Sequence, residues 1–251
     1  MRMHVLSGGR LRMRKSVYLP AAERSEMIDL PVSCFLLRHP QGNVLFDTGC
    51  HPAFVEDPAR WGGLAKFITP IMPPGDNLLG GLAGIGFTAD DIDVVVCSHL
   101  HPDHCGCNAF FKRATVMVHE KEIAAARGPN AEAAGYVAGE WDFGAFDPLN
   151  GQRDVFGDGR IVLLPLPGHT PGSTGALVRL ERSGAFLLAA DAVALRVTLD
   201  RNIVSRNTQN AELLLKSFDE VRKIETGGAT VVCGHDLAQW ETLRKDADFY
   251  D

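Results

Sequence analysis

Six consecutive residues of this chain carry four side chains that bind metal ions. The segment from His99 to His104 reads His-Leu-His-Pro-Asp-His and directly follows an apolar run. Imidazole and carboxylate donors at this density suit zinc or another first-row divalent metal. His99 and His101 can point the same way from an extended segment, whereas Asp103 and His104 come one turn later and can reach a second ion. The segment therefore predicts a two-metal hydrolytic site.

Three further polar side chains follow apolar runs elsewhere in the chain. His169 lies in the turn-forming sequence Pro-Gly-His-Thr-Pro-Gly-Ser, Asp191 closes a second apolar run, and His235 follows a third. A carboxylate at the end of a buried strand must be paired, hydrogen-bonded or metal-bound. Together with the segment above, four strand ends are predicted to deliver ligands to one edge of a sheet assembly.

Two cysteines follow the histidine segment closely and are an alternative source of ligands. Cys105 and Cys107 are separated by one glycine. The histidines and aspartates already fill two coordination shells, so the preferred interpretation is that both are small buried thiols, kept reduced in a cytoplasmic chain.

Apolar runs alternate with segments of helical spacing, which is typical of an α/β protein. The predicted strands are 32–37, 43–47, 93–98, 115–118, 160–164, 175–180, 185–190 and 230–233. The predicted helices are 58–67, 77–83, 121–127, 131–139 and 209–225, the last capped by Asn207 and Thr208. The order of these elements favours two sheets packed face to face with helices outside, in one domain over residues 1–251.

Composition narrows the class of function. The 251 residues carry a formal net charge of −6, which argues against nucleic acid as a partner because phosphate binding needs clustered basic residues. No apolar run approaches the roughly 20 residues of a membrane span, and the N-terminus lacks the apolar core of a secretory signal. The expectation is a cytoplasmic monomer or homodimer that acts on a small molecule, without a membrane partner.

The combined segments resemble the metallo-β-lactamase superfamily. The resemblance rests on the series HxHxDH, PGHTPGS, a lone aspartate after a strand and GHD, with Asp47-Thr48-Gly49 similar to an early DTG turn. It implies an αββα sandwich of two mixed β-sheets flanked by helices, with the metal site at one edge. Within the superfamily the chain is most similar to the quorum-quenching N-acyl-homoserine lactonase group. This similarity rests on the segment Leu-Pro-Val-Ser-Cys-Phe at residues 30–35, on the chain length and on the short C-terminal tail.

The resemblance also implies the ligands of two divalent ions, with zinc the favoured metal. One ion would be held by His99, His101 and His169. The second would be held by Asp103, His104 and His235. Asp191 would bridge both, and Asp47 would support a ligand from behind, although a turn-capping role for Asp47 is an equal alternative.

The implied reaction is the opening of a lactone ring by a hydroxide that bridges the two ions, with Asp103 as the candidate general acid. The substrate would be an acyl-homoserine lactone or another small lactone. A thioester or ester hydrolase of the glyoxalase II-like type is an alternative. A mononuclear iron sulfur-dioxygenase is a further one.

Two residues depart from the lactonase pattern. Ala194 stands where many of these lactonases have a tyrosine. None of the three tyrosines of this chain is close to position 194 in sequence. Pro102 stands where an aromatic residue is common, which shrinks the pocket wall. Both departures point away from a long-chain acyl-homoserine lactone.

No substrate-contacting residue can be assigned from the sequence. Five apolar residues either form a lid over the site or pack in the ordinary way: Trp61, Phe67, Ile68, Ile71 and Met72. Segment 195–207 would line the opposite side, where three arginines either meet a substrate carboxylate or lie in solvent: Arg196, Arg201 and Arg206.

Overall fold

Two β-sheets face each other in the computed structural model, which describes residues 1–251. The strands are β1 Arg2–Arg14, β2 Met27–His39, β3 Gly42–Phe46, β4 Thr69–Pro70, β5 Val94–Val96, β6 Thr115–His119, β7 Asp147–Leu149, β8 Arg153–Asp154, β9 Ile161–Pro165, β10 Thr174–Leu180, β11 Gly184–Ala190, β12 Thr230–Cys233 and β13 Phe249–Tyr250. The first sheet has eight strands in the order β13-β1-β2-β3-β5-β6-β7, with β4 paired to β1. The second has five in the order β12-β11-β10-β9-β8. Both sheets mix parallel and antiparallel pairs, which confirms the predicted class.

Helices cover the outer faces of both sheets. The α-helices are α1 Leu78–Gly84, α2 Pro102–Cys105, α3 Glu120–Ala126, α4 Ala138–Trp141, α5 Arg196–Arg201, α6 Ala211–Thr226 and α7 Leu237–Thr242. Six 3₁₀ segments lie at Lys15–Val17, Pro52–Phe54, Pro58–Lys66, Ala89–Asp91, Asn108–Phe110 and Asp191–Val193. None of the helices combines the length and the apolar character that crossing a bilayer requires.

Side-chain alternation in the strands explains the four layers. In β2, Phe35 and Leu37 pack into the core between the sheets, whereas Leu36 faces the helices on the other side. Leu36 pairs with Leu45 of β3, which continues the same outer face. Because successive side chains of a strand point to opposite faces, a strand that is apolar throughout requires cover on both sides.

Helix α6 covers the second sheet with one apolar face. Leu214, Phe218 and Val221 recur at helical spacing and pack on the strands with little exposure. The predicted cap at Asn207 and Thr208 is wrong, because the helix begins three residues later. The Asn210 side chain accepts a hydrogen bond from the Leu213 amide (3.0 Å) and caps the helix there.

Another prediction that the structure overturns is the helix at 131–139. Residues 131–135 form turns, and only the last two residues of the predicted range belong to a helix, the short α4. Gly135 has a φ of 93°, which a helix does not accommodate. The Ala134 carbonyl accepts a hydrogen bond from the His101 ring (2.9 Å) instead of serving a helical turn. A tertiary contact to the His101 side chain therefore takes the place of a helical turn here.

The longest strand that the sequence did not predict is β1. It pairs antiparallel with β2 through two runs that are separated by an irregularity between Ser7 and Arg10. The basic run at 10–15 falls largely within this strand, and Arg12 there pairs with Asp29 of β2 (2.6 Å). The basic side chains of this run thus lie on a partly solvated face of the strand.

Candidate metal centre

Strand ends from both sheets meet at one edge of the sandwich. The segment containing His99 follows β5, His169 lies between β9 and β10, Asp191 follows β11 and His235 follows β12. The two sheets are joined at this edge, since the Thr174 amide donates a hydrogen bond to the Ser98 carbonyl (2.9 Å). The structure brings all seven sequence-predicted ligand residues together here.

Three imidazoles form the first cluster, called site A: His99, His101 and His169. The His101 Nε2–H donates to the Ala134 carbonyl (2.9 Å), so Nδ1 carries the lone pair. The Nε2 atoms of His99 and His169 each lie 3.1 Å from this Nδ1. Ligand atoms around a tetrahedral zinc ion lie about 3.3 Å apart, given metal–nitrogen distances of about 2.0–2.1 Å. Site A therefore has the spacing of three metal ligands.

The second cluster, called site B, combines one carboxylate with two imidazoles: Asp103, His104 and His235. Asp103 Oδ2 lies 3.6 Å from the Nε2 atom of His104 and 3.6 Å from that of His235. The His235 Nδ1–H donates a hydrogen bond to the Pro31 carbonyl (2.9 Å). Its Nε2 therefore carries no hydrogen and has a lone pair free to bind a metal ion.

Asp191 lies between the two sites. Its Oδ2 is 3.4 Å from His169 Nε2 of site A, and its Oδ1 is 2.9 Å from His235 Nε2 of site B. The residue before it, Ala190, has a φ of 45°, a strained value that turns the chain as it leaves β11. Gly234 is required nearby, because a Cβ there would lie 2.6 Å from Asp191 Oδ1.

Unpartnered buried atoms test whether metal ions fit these sites. Nε2 of His104, Nε2 of His235 and Oδ1 of Asp191 are buried and make no hydrogen bond. Buried polar atoms are rarely left unpaired in proteins, and these three face one another. A divalent cation among them would give each atom a partner, so the residues present fit a metal.

The electrostatics of site A favour neutral donors. Burial lowers the pKa of His99 well below its ordinary value, with the neighbouring His104 acting in the same direction. Burial likewise lowers the pKa of His169 to about 3, against the opposing effect of Asp191. At Asp191, burial opposes ionisation, but His235 and His169 outweigh it and hold the pKa well below the usual range. Neutral imidazoles and an ionised carboxylate are the protonation states of metal ligands.

Asp47 lies behind His104, on the side away from site B. Its Oδ1 accepts the Ser98 amide hydrogen (2.6 Å), and its Oδ2 accepts the Ser98 hydroxyl (2.7 Å). The same Oδ2 is 2.8 Å from His104 Nδ1, so the ring can donate there and keep Nε2 free. Asp47 is thus placed to orient a ligand, in addition to shaping its own turn.

Glu122 of α3 is a site residue that sequence reasoning missed. Its side chain is fully buried, Oε1 accepts the Leu100 amide hydrogen, and Oε2 accepts that of Gly172, each at 3.0 Å. Leu100 lies between two ligands of site A, and Gly172 belongs to the loop that carries the third. Gly172 must be glycine, because a Cβ there would lie 2.4 Å from the Glu122 amide nitrogen. In sequence, an acidic residue in a first helical turn looks like an ordinary solvated side chain.

We expect Glu122→Gln to weaken metal binding at site A. An amide has one acceptor oxygen, so one of the two backbone donors would face an NH₂ group. The expected cost is about 1–3 kcal/mol of stability and about 10- to 100-fold in metal affinity. Thermal unfolding and metal titration measure both effects. Glu120→Gln in the same helix, where the side chain is exposed, is the matched control. Equal metal affinity in the two variants would contradict the bracing role.

Two tyrosines that are distant in sequence lie beside the metal sites. The Tyr18 ring centroid is 6.0 Å from that of His235, and the Tyr136 centroid is 5.3 Å from that of His101. Burial raises the pKa of Tyr18 well above its ordinary value, with the carboxylates of Asp191 and Asp103 acting in the same direction. The absence of a tyrosine near position 194 in sequence therefore does not mean that the site lacks a phenol.

The two cysteines after the histidine segment point away from the metal sites. Cys105 Sγ donates to the His101 carbonyl (3.1 Å), and Cys107 Sγ donates to the Cys50 carbonyl (3.3 Å). Burial raises the pKa of both thiols. They are buried structural thiols, and neither belongs to a metal-ligand cluster.

A cavity of about 340 Å³ opens onto the metal sites. Tyr18, Asp103 and Asp191 line it on the metal side. Its apolar wall is formed by Leu11, Met13, Trp61, Leu64, Ile68 and Pro102, and its polar wall by Arg206, Asn207, Thr208 and Gln209.

The predicted walls of this cavity are correct only in part. Of the five lid residues, Trp61 and Ile68 line the cavity, whereas Phe67 is 65% exposed and Ile71 and Met72 do not reach it. Of the three arginines, only Arg206 lines it. Arg196 instead pairs with Asp200 (2.8 Å) and with Glu225, and Arg201 is exposed at the end of α5.

A buried ion pair anchors the wall segment that carries Trp61 and Leu64. Arg60 Nε lies 2.6 Å from Oε1 of Glu140, whose side chain is 1% exposed. Burial raises the pKa of Glu140 against the opposing effect of Arg60. Replacing Arg60 with methionine leaves the carboxylate unpaired, so we expect a loss of about 2 kcal/mol at neutral pH.

The pH dependence of this loss has a defined sign. A raised pKa means that the folded state holds the proton more tightly than the unfolded chain, and Arg60→Met raises it further. The deficit relative to wild type should be smallest in acid, where Glu140 is protonated in both proteins, and should grow as the pH rises through the raised pKa. Urea unfolding across this range measures it, and a pH-independent deficit would contradict the assignment.

The chain is similar in sequence and in fold to known metal-dependent proteins. Residues 27–235 match the model of the Metallo-beta-lactamase superfamily. A relative called N-acyl homoserine lactonase AttM, from Azorhizobium caulinodans, is 32% identical over all of this chain and 98% of its own length. An N-acyl homoserine lactonase from Bacillus thuringiensis is 26% identical, over 97% of this chain and 96% of its own. A solved N-acyl homoserine lactone hydrolase, with N-hexanoyl-L-homoserine bound at its catalytic metal centre, has a TM-score of 0.89 at 25% identity and covers 99% of this chain and 98% of its own.

Proposed function

The chain belongs to the metallo-β-lactamase superfamily, and from this membership we propose that it is a metal-dependent hydrolase that opens lactone rings. The observation that carries the proposal is the position of Asp191, with one oxygen toward each cluster and no hydrogen bond to its buried Oδ1. The full-length relatives are named N-acyl homoserine lactonases, which supports a quorum-quenching activity on that class of lactone.

We further propose that the chain holds two divalent ions, with zinc as the natural metal. Site A would hold one, site B the other, and Asp191 would contact both. Nitrogen and carboxylate donors in sets of three or four are the usual ligands of zinc. When bound, two such ions supply Lewis acidity and a hydroxide nucleophile near neutral pH.

The chain's own residues would orient the substrate and move one proton. Asp103 lines the cavity with a side chain that is 14% exposed, so a leaving ring oxygen can reach it. It is the proposed general acid: its ionised carboxylate would take the proton of the hydroxyl group added to the carbonyl carbon and deliver it to the ring oxygen as the ring opens. Asp47 would hold the His104 ring in the orientation that site B needs, and the Ala134 carbonyl would do the same for His101.

The cavity favours a compact substrate. Ligand pockets typically range from about 300 to 1,000 Å³, and this cavity of about 340 Å³ is at the lower end. Pro102 lines it as the first residue of α2, where a missing amide hydrogen has no cost. A lactone with a short apolar substituent against Trp61 and Leu64 fits this space better than a long acyl chain.

We also propose that the protein acts in the cytoplasm on a small molecule, as a monomer or homodimer without a nucleic-acid or membrane partner. All six cysteines are free, which suits a reducing compartment, and the net charge of −6 disfavours phosphate backbones.

The test is hydrolysis by metal-loaded protein. A panel of lactones with increasing acyl length is assayed by pH-stat beside a thioester and an aryl ester, and the metal content is measured on the same sample. We expect acid release from lactones, fastest for short substituents, with two zinc ions per chain. Acid release from the thioester alone, or one iron per chain, would contradict the proposal.

A further inference from the structure

A buried phenol lies on the metal side of the cavity, and the reaction proposed above leaves it without a role. Tyr18 is 4% exposed and lines the cavity together with Asp103 and Asp191. Its ring meets the His235 ring edge-on, with centroids 6.0 Å apart and an interplanar angle of 63°. A phenol at this place is a hydrogen-bond donor next to the carboxylates of both metal sites.

The backbone around Tyr18 is held in place from both sides. The Arg206 amide donates to the Val17 carbonyl (2.7 Å), and its guanidinium donates to the Pro20 carbonyl (3.1 Å). The Tyr18 amide itself donates to the Lys15 carbonyl (3.1 Å). The backbone that carries the phenol is thus held in place before substrate arrives, and a donor on a rigid segment stabilises developing charge with little reorganisation.

Residue 194 carries no hydroxyl group. The Ala194 carbonyl accepts the His235 amide hydrogen (2.8 Å), so residue 194 lies beside the same ligand that Tyr18 contacts. Ala194 and Tyr18 also belong to one apolar cluster. The methyl group of Ala194 has no hydrogen-bond donor, whereas the Tyr18 ring of the same cluster ends in a hydroxyl.

The second hydroxyl group that lines the cavity, that of Thr208, is not positioned beside site B. Thr208 Oγ1 lies 3.0 Å from Ser205 Oγ, and that contact ties it to its own loop. Tyr136, the second phenol near the metal sites, packs on His101 but does not line the cavity. Tyr18 is therefore the hydroxyl that both lines the cavity and contacts a residue of site B.

We propose that Tyr18 is a catalytic residue, whose phenol hydroxyl donates a hydrogen bond to the carbonyl oxygen of the bound lactone. This inference rests on the lactone hydrolysis proposed above. The carbonyl oxygen gains negative charge as the nucleophile adds to the carbon, and the hydrogen bond strengthens with that charge. The phenol keeps its proton throughout, and the proton for the leaving ring oxygen comes from another group.

The experiment compares Tyr18→Phe with Tyr136→Phe. Both changes remove one oxygen and keep the ring, and Tyr136 is a fair control because it packs on His101 of site A without lining the cavity. We expect kcat of Tyr18→Phe to fall about 100-fold while that of Tyr136→Phe stays near wild type. KM, metal content and melting temperature should be unchanged, because neither ring packing nor a metal ligand is lost.

A matching lactone and thiolactone test which oxygen is contacted. Both substrates have the carbonyl oxygen, so Tyr18→Phe should lose the same factor with each. A loss confined to the lactone would place the phenol at the ring oxygen and overturn the assignment. Binding of the ring-opened hydroxy acid should perturb the tyrosine absorbance of wild type and of Tyr136→Phe, but not of Tyr18→Phe.

Two results would overturn the role of Tyr18 outright. One is a Tyr18→Phe kcat within about threefold of wild type, and the other is a fall in kcat that matches a loss of bound metal. Wild-type protein that opens no lactone at all would instead contradict the proposed function, and this inference would fall with it.

Discussion

Replacing Asp191 with alanine is expected to abolish lactone hydrolysis and to remove most of the bound metal. The Asp191 carboxylate presents Oδ2 to His169 of site A and Oδ1 to His235 of site B. Its loss would remove the carboxylate oxygen proposed for each metal ion and the negative charge between the two sites. Because metal ions contribute several kcal/mol to such reactions, we expect kcat/KM to fall by about a thousandfold or more.

Two measurements separate metal loss from misfolding. The first is the metal content per chain after dialysis. The second is the thermal shift on adding zinc, since a ligand at a thousandfold excess over its dissociation constant stabilises the folded state by about 4 kcal/mol. Wild type should show the full shift and Asp191→Ala little of it.

Asp158→Ala is the matched control for this experiment. It also removes an aspartate that pairs with a histidine, since Asp158 Oδ2 lies 2.8 Å from His39 Nε2, but it lies outside both metal sites. We expect this variant to keep its metal and its activity. An Asp191→Ala protein that binds two ions and retains kcat/KM within about tenfold of wild type would contradict the bridging assignment.

The sequence predicted that the seven candidate ligand residues lie together, because their chemistry is dense and their positions follow strands. Three imidazoles and a carboxylate within six residues leave few other interpretations, and His169, Asp191 and His235 each follow an apolar run. The order of the predicted strands and helices likewise favoured two sheets covered by helices. These signals are local in sequence, so one chain suffices to read them.

Two residues beside the site, Glu122 and Tyr18, could not be predicted because their contacts span long separations. Glu122 accepts hydrogen bonds from residues 22 and 50 positions away, and nothing around it in sequence indicates burial. Tyr18 meets His235 near the opposite end of the chain. The wrong helix at 131–139 has the same origin, because the Ala134 carbonyl is used by His101 and is therefore not free for a helical turn. Tertiary contacts to the site overrode local propensity at each of these places.

Asp103→Asn is expected to slow lactone opening far more than it slows substrates with good leaving groups. A lactone expels an alkoxide, which needs a proton, whereas a thiolate or a nitrophenolate leaves without one. The asparagine is nearly isosteric and keeps an oxygen for site B, but it has no acidic proton to deliver. We expect kcat to fall about 10²- to 10⁴-fold with a lactone and by less than about tenfold with a thiolactone or an aryl ester.

The comparison between substrates separates the two roles of Asp103. Ligation to site B affects every substrate alike, because the metal serves all of them, whereas proton delivery affects only those with a basic leaving group. Assays at saturating zinc, with two ions per chain verified, hold the first role constant. Equal losses with lactone and thiolactone would reduce Asp103 to a ligand, and a nearly unchanged lactone rate with full metal content would exclude it as the proton donor. A lactone-selective loss, in contrast, would assign the proton to the carboxylate that lines the cavity beside His104 and His235.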